Sequence, residues 1–410
     1  MDISMDEEQS AAKSIRGQKQ LPDRFTAKVL ASYIVVLLFQ LLLVFAIYLP
    51  AIRTGHADFR NMYSAGYMVR AGHGSEIYDA GAQKMFQDEL VSRESLPLPF
   101  IRPAYQALFY VPLSLLPFCQ AYFVFLAFNL AVLLLCAWLL RPYMSNVGRL
   151  HFYLPSLLFL FFPITVALMQ GQVSILLLAL LTGALVCIQR NREYAAGALV
   201  ALGLFKFQLV IPIFLLFLAW RRWRFSASFA CTSVVLAGVS IWILGMAQSV
   251  RYFHLMIGVG SSLGFSAGSP LKLNLMANFH GAVYTILNGS PSVLPLTAAA
   301  SAATMIFVAW RRPQGVDALL FAIPASALVS YYMYPHDMSI LILPIVVLLD
   351  RLIGVNQTKY RYRHIQIVAT VLLLAAPTCL LIAINQFWIA ALPLLAFTFF
   401  ISWCQSTAAA

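Results

Sequence analysis

The chain has 410 residues, 61% hydrophobic and 10% charged, with a formal charge of +12 and a mean hydropathy of +0.82. A soluble globule of this length carries far more charge, which excludes that class. Alternating strands of about ten residues are absent, which argues against a closed β-barrel.

A backbone in lipid must satisfy its own hydrogen bonds, and runs of roughly twenty apolar residues recur along the chain. The expected fold is therefore all-α, a polytopic transmembrane helical bundle. Residues 1–26 are polar and of mixed charge, and read as a disordered cytoplasmic tail. No cleavable signal precedes the first span, near 28–50, which reads as a retained signal-anchor. A polar stretch, 51–103, follows as the first and largest outer loop. Further spans fall near 119–140, 150–169, 172–189, 194–206, 207–220, 227–246, 292–310, 317–334, 337–350, 364–384 and 386–403. That makes about twelve within a transmembrane domain of 27–404.

Two pairs of spans are too short to cross twice as full helices. The first has Lys206 and Gln208 at its middle, the second Tyr334-Pro335-His336-Asp337. Each reads as a helical hairpin with a polar apex facing outward. The segment 104–118, with Pro112 and Pro117, reads as re-entrant or interfacial. In the outer loop, Arg60 to Ala71 and a second stretch from Asp79 to Arg93 read as amphipathic helices lying on the membrane surface. Gly72 and Gly74 end the first, Asp79 caps the second, and Met85, Phe86 and Leu90 form its apolar stripe. A second outer region covers about 247–291.

The 27 Lys and Arg are distributed unevenly. About eighteen fall on one side of these spans, in clusters at each inward turn, which places that side in the cytoplasm. Both termini are then cytoplasmic and the 51–103 loop is extracytoplasmic. The basic clusters are topology signals, and nucleic acid is not an expected partner. Cys119, Cys136, Cys187, Cys231, Cys379 and Cys404 lie in apolar segments at no metal-ligand spacing. There is no Walker loop and no His-Glu-x-x-His; Gly258 to Leu263 fails as a dinucleotide fingerprint. No metal or cofactor is expected.

Separate spans and loops bring one set of polar groups to the outer face: Asp58, Arg60, Tyr63, Arg102, Tyr105, Gln170, Gln172, Lys206, Gln208, His254, Asn274, His336 and Asp337. Ionisable groups near lipid are costly and point to function. Each also has a plainer reading. Asp58 can cap the helix after it, and Lys206 can snorkel outward. Gln170-Gly171-Gln172 and His336-Asp337 can be turns, and Arg102 can anchor to headgroups. Taken together, one candidate base among many cations and amides suits sugar transfer from a phosphate-linked donor. The carboxylate would accept a hydroxyl proton, and the cations would meet the leaving phosphate. A lipid-phosphate-linked donor entering sideways from the bilayer fits that geometry.

The same residues resemble a family. Asp58-Phe59-Arg60-Asn61-Met62-Tyr63 with Gly72 and Ile77-Tyr78-Asp79, Arg102-Pro103-Ala104-Tyr105, Gln170-Gly171-Gln172-Val173-Ser174, Gly203 to Gln208 and Tyr334-Pro335-His336-Asp337 are similar to motifs of the GT-C membrane glycosyltransferases. Within these the chain most resembles glycosyltransferase family 87, the polyprenol-phosphate-mannose-dependent mannosyltransferases of bacteria. The resemblance implies a GT-C bundle in the inner membrane. It also implies an inverting hexosyl transfer, of mannose, onto a glycolipid or glycan acceptor, with Asp58 as the outward-facing catalytic aspartate, the general base. Lys206, Arg102 and Arg60 would then bind the donor phosphate. Tyr63, Tyr105, Gln170, Gln172, Gln208, His254, Asn274, His336 and Asp337 would contact substrate. A transporter or lipid flippase would instead show an internal repeat and charges at mid-membrane in both halves. A surface-polysaccharide polymerase or ligase would place its large loop late in the chain.

Overall fold

The computed structural model describes residues 49–50, 52–54, 57–93, 98–144, 161–258, 272–354 and 384–404, with isolated residues between. The chain divides into two units, 1–47 and 48–410. The 1–26 tail, almost all of the 28–50 span, the Val259 to Leu263 part of the tested fingerprint and most of the 364–384 span lie outside the described residues. The helices named here all belong to the second unit.

Every regular element among the described residues is helical. Among the described residues, four helical stretches are long and apolar enough to cross a membrane: Phe118–Tyr143, Glu193–Ala219, Trp223–Leu244 and Val293–Arg311. Ser174–Gln189, Asp317–Val329 and Phe387–Ile401 are apolar but shorter. In chain order the main helices are α1 (Phe59–Arg70), α2 (Ala80–Leu90), α3 (Phe118–Leu140), α4 (Phe162–Met169), α5 (Ser174–Gln189), α6 (Glu193–Leu202), α7 (Phe207–Ala219), α8 (Trp223–Leu244), α9 (Met246–Gly258), α10 (Phe279–Ile286), α11 (Val293–Arg311), α12 (Asp317–Val329), α13 (Ile342–Gly354) and α14 (Ala391–Cys404).

One of the four stretches does not run straight. A 27-residue helix would be about 40 Å long. Yet Glu193, at the start of α6, lies 2.8 Å from Arg222, just past the end of α7. The segment therefore folds back on itself at the 3-10 turn Gly203–Lys206. The second hairpin closes in the same way. Asp317 at the start of α12 meets Arg351 near the end of α13 at 2.8 Å, with the 3-10 turn Pro335–Leu341 between the arms. Arg222 also donates to the Gly315 carbonyl at 3.1 Å, which joins the two bases. The basic residues thus gather at the hairpin bases, and the polar apices lie a helix length away.

The outer loop departs from expectation. In α1, eight of twelve residues are buried, and Phe59 and Met62 are fully so. It does not lie on a surface. The Phe59 ring stacks on Phe125 at 5.2 Å, with the rings of Tyr63, Tyr110, Phe118 and Tyr122 around it. Gly66 lets the helix press directly against Tyr110: a Cβ there would sit 2.6 Å from the Tyr110 carbonyl carbon. Part of the polarity that suggests a surface helix is spent inside the protein: Arg60 donates to the Ser92 carbonyl and Tyr63 to that of Leu116. Asp79 does cap α2, accepting from Ala82 N at 2.7 Å, although α2 ends at Leu90 and Met85 is exposed. Residues 104–115 form only short helical turns, consistent with a segment that does not cross.

Candidate active site

Asp58 precedes α1 in the capping position, but its side chain caps nothing. The α1 amide of Phe59 is taken instead by the Gln170 carbonyl, 3.0 Å away on the turn between α4 and α5. That leaves the carboxylate free for other partners. Gln172 Nε2 donates to Asp58 Oδ2 at 2.6 Å, and Gln172 Oε1 accepts from Arg102 Nη2 at 2.6 Å. A guanidinium can only donate and a carboxylate only accept, so the amide between them has one orientation that satisfies both. Gln172 therefore holds the acid and the cation at a fixed separation.

The turn carrying these glutamines depends on Gly171, at φ +62°. A Cβ there would fall 2.7 Å from Phe59 Cβ. Gly171→Ala is expected to cost at least about 1–3 kcal/mol of stability through overpacking alone, with left-handed strain added. Chemical denaturation in detergent checks this; unchanged stability would mean that α1 does not dock on the turn.

The two hairpin apices meet behind this layer. Lys206, 3% exposed, and Asp337, fully buried, form an ion pair. Asp337 Oδ2 also accepts from the Tyr334 amide at 3.1 Å. His336 Nδ1 lies 2.8 Å from Gln170 Oε1, which links the second hairpin to the α4–α5 turn.

Together these elements enclose a cavity of about 480 Å³. Asp58, Arg102, Gln170, Gln172, Lys206, Gln208 and His336, all singled out in the sequence, line it. Asp337 stands behind the wall as the partner of Lys206. The other candidates lie elsewhere. Arg60 is buried under α2, 3.5 Å from Asp88 and donating to the Ser92 carbonyl at 3.1 Å. Tyr63 donates to the Leu116 carbonyl, Tyr105 to that of Leu202, and Asn274 to that of Asn385. His254 is exposed on α9. Four polar wall residues are not among the sequence candidates: Asn61, Lys272, Tyr332 and Tyr334. Asn61 is legible in principle, because it follows Asp58 by three residues on a helix and so shares its face.

Burial pushes the Asp58 carboxyl above its ordinary pKa of 3.8; the Gln172 hydrogen bond and the charges of Arg102 and Lys206 oppose the rise, and Asp337 adds to it. Arg102 Nη1 and Asn61 Oδ1 have no partner among the described residues. The wall thus brings together an acid, a guanidinium with an unspent N–H and an amide with an unspent oxygen. Among the described residues no three His, Cys, Asp or Glu side chains are grouped to hold a metal ion.

Apolar helices around a cavity that pairs a carboxylate with cations and amides mark a membrane protein with a polar interior site. The sequence profile of glycosyltransferase family 87 matches residues 100–344, more than half of the chain, and the chain belongs to that family. The matched region holds all the lining residues named above except Asp58 and Asn61. A relative from Mycolicibacterium smegmatis, a polyprenol-phosphate-mannose-dependent alpha-(1-2)-phosphatidylinositol pentamannoside mannosyltransferase, is 25% identical over 248 residues. The match covers 58% of this chain and 57% of the relative, so the chain aligns with little more than half of that protein's length. No solved structure matches the chain.

Proposed function

We propose that this protein transfers a hexose, mannose by the relative's example, from a polyprenyl-phosphate donor to a hydroxyl of a glycolipid or glycan acceptor. The observation that carries this reading is the Asp58–Gln172–Arg102 relay at the cavity wall. In the proposed single, inverting displacement, Asp58 takes the proton of the attacking hydroxyl. The acceptor oxygen bonds to the anomeric carbon as the bond from that carbon to phosphate breaks. The electron pair leaves with the polyprenyl phosphate, whose charge grows by one. The Arg102 guanidinium, at the cavity wall and with Nη1 unpartnered among the described residues, meets that charge. Lys206 contributes less than a free cation would, because Asp337 already neutralises it. Gln170, Gln172 and His336 orient the substrates.

The test is direct. Purified protein given radiolabelled polyprenyl-phosphate-mannose and membrane glycolipids should label a glycolipid, whereas a nucleotide-sugar donor should not. Labelling from the nucleotide sugar alone would overturn the donor class.

The orientation belongs to the same proposal. Arginines at the hairpin bases, including Arg190, Arg222, Arg311 and Arg351, support a cytoplasmic base and an extracytoplasmic cavity in a bacterial inner membrane. About twelve crossings, with both termini cytoplasmic, complete that topology. Ser75 is exposed in the outer loop. Ser75→Cys is expected to react with a membrane-impermeant thiol reagent added outside spheroplasts. Labelling only after lysis would invert the topology and put the donor on the other face.

A further inference from the structure

Arg102 ends a segment, 98–102, that belongs to no helix and has no strand partner among the described residues. Its backbone groups are nevertheless held one by one, and by side chains. Gln87, fully buried on α2, accepts from Leu98 N at 3.0 Å and donates to Leu98 O at 2.7 Å, as a neighbouring strand would. One helical turn earlier, Gln83 accepts from Phe100 N at 2.7 Å and donates to the Ile77 carbonyl at 2.6 Å. Tyr252 of α9 donates to the Ile101 carbonyl at 3.4 Å. Tyr78 donates to the carbonyl of Arg102 itself at 2.6 Å. The Tyr78 ring is stacked on Tyr252 at 4.5 Å and on Phe100 at 6.2 Å, which fixes the direction of its hydroxyl.

Side-chain amides are an unusual way to hold a backbone outside helix and sheet. They matter here because the segment is also the cavity wall: Leu98, Pro99, Ile101 and Arg102 all face the cavity. A hydrogen bond either forms or is lost within a few tenths of an ångström. The reach of Arg102 to Gln172, and through Gln172 to Asp58, is therefore set by where α2 puts two glutamines and where Tyr78, just before the α2 cap, puts its hydroxyl. We infer that Tyr78, Gln83 and Gln87 are positioning residues for the donor phosphate, acting through the backbone of residues 98–102 to aim Arg102 into the cavity. The inference rests on the proposed role of Arg102, and it adds Tyr78 and α2, which do not line the cavity, to the machinery that recognises phosphate.

Binding of farnesyl phosphate to the full-length protein in detergent, measured by calorimetry, separates the two ideas. Tyr78→Phe keeps the stacked ring and removes only the hydroxyl, so the unliganded melting temperature should hold. Gln87→Met keeps the length and removes both bonds to Leu98. Each is expected to weaken farnesyl phosphate binding by about tenfold, the scale of one well-placed charge-assisted hydrogen bond. In transfer assays the donor KM should rise while the acceptor KM stays unchanged, which a loss of folded protein would not produce. Arg102→Ala should weaken binding at least as much. If Arg102→Ala does so while Tyr78→Phe and Gln87→Met bind like wild type, the clamp is refuted and the site assignment stands. If Arg102→Ala binds like wild type, the phosphate lies elsewhere and both ideas fall. Should Gln87→Met not fold, Tyr78→Phe alone decides.

Discussion

Asp58→Asn should transfer sugar at least about a hundredfold more slowly than wild type, the lower end of what general-base assistance contributes. It should do so while melting at the same temperature. The second half of that expectation comes from the geometry. Asp58 makes no capping bond to α1, so an amide removes nothing that the helix needs. Asparagine can still accept the bond from Gln172, but it cannot take a proton from an attacking hydroxyl. The pH profile supplies an independent check. A base must be ionised to act, and burial raises the Asp58 pKa above 3.8. Wild-type activity is therefore present above that raised pKa and lost as pH falls through it. The acid limb should lie higher than for an ordinary aspartate, and the residual activity of Asp58→Asn should lack it. Full activity in Asp58→Asn would leave Asp58 without a chemical role and make the cavity's cations a binding device only.

The largest effect on stability is expected at the apices. Lys206→Met should destabilise the protein by about 3–5 kcal/mol, because it leaves the Asp337 carboxylate buried with no opposing charge. The double variant Lys206→Met/Asp337→Asn should recover most of that loss, since a neutral amide can still accept the Tyr334 amide bond. Its transfer rate should stay low, because Lys206 also faces the cavity and its remaining N–H groups are gone. Thermal denaturation of the two variants beside wild type measures the first pair of outcomes. A single variant as stable as wild type would show that the apices are not held together by this pair. A double variant with full activity would reduce Lys206 to a structural cation.

The hairpins behind these expectations are legible in the sequence, because a lysine, or a Tyr-Pro-His-Asp run, interrupts an apolar stretch too short for two crossings. No local pattern announces the ion pairs that close them, since Glu193 and Arg222, or Asp317 and Arg351, are brought together only by the turn between them. The convergence of Asp58, Arg102, Gln170, Gln172, Lys206 and His336 is legible as a shared face, but not as a bonded relay. The burial of α1 is hidden because Arg60, Asn61 and Ser64 give it the composition of a surface helix. Its contacts, with the Gln170 turn and with Tyr110 and Phe125, come from far along the chain. Arg60 falls among the site candidates for a related reason. It neighbours Asp58 in sequence, but successive residues on a helix point in different directions, and it faces Asp88.

One measurement bears most directly on sugar transfer at this cavity: an electron cryomicroscopy map of the full-length protein bound to a polyprenyl-phosphate-mannose analogue. The phosphate density should lie against the Arg102 guanidinium, with the anomeric carbon turned toward Asp58 and the prenyl chain leaving toward lipid. Phosphate density at the hairpin bases, beside Arg222 or Arg311, with the cavity around Asp58 empty, would contradict it.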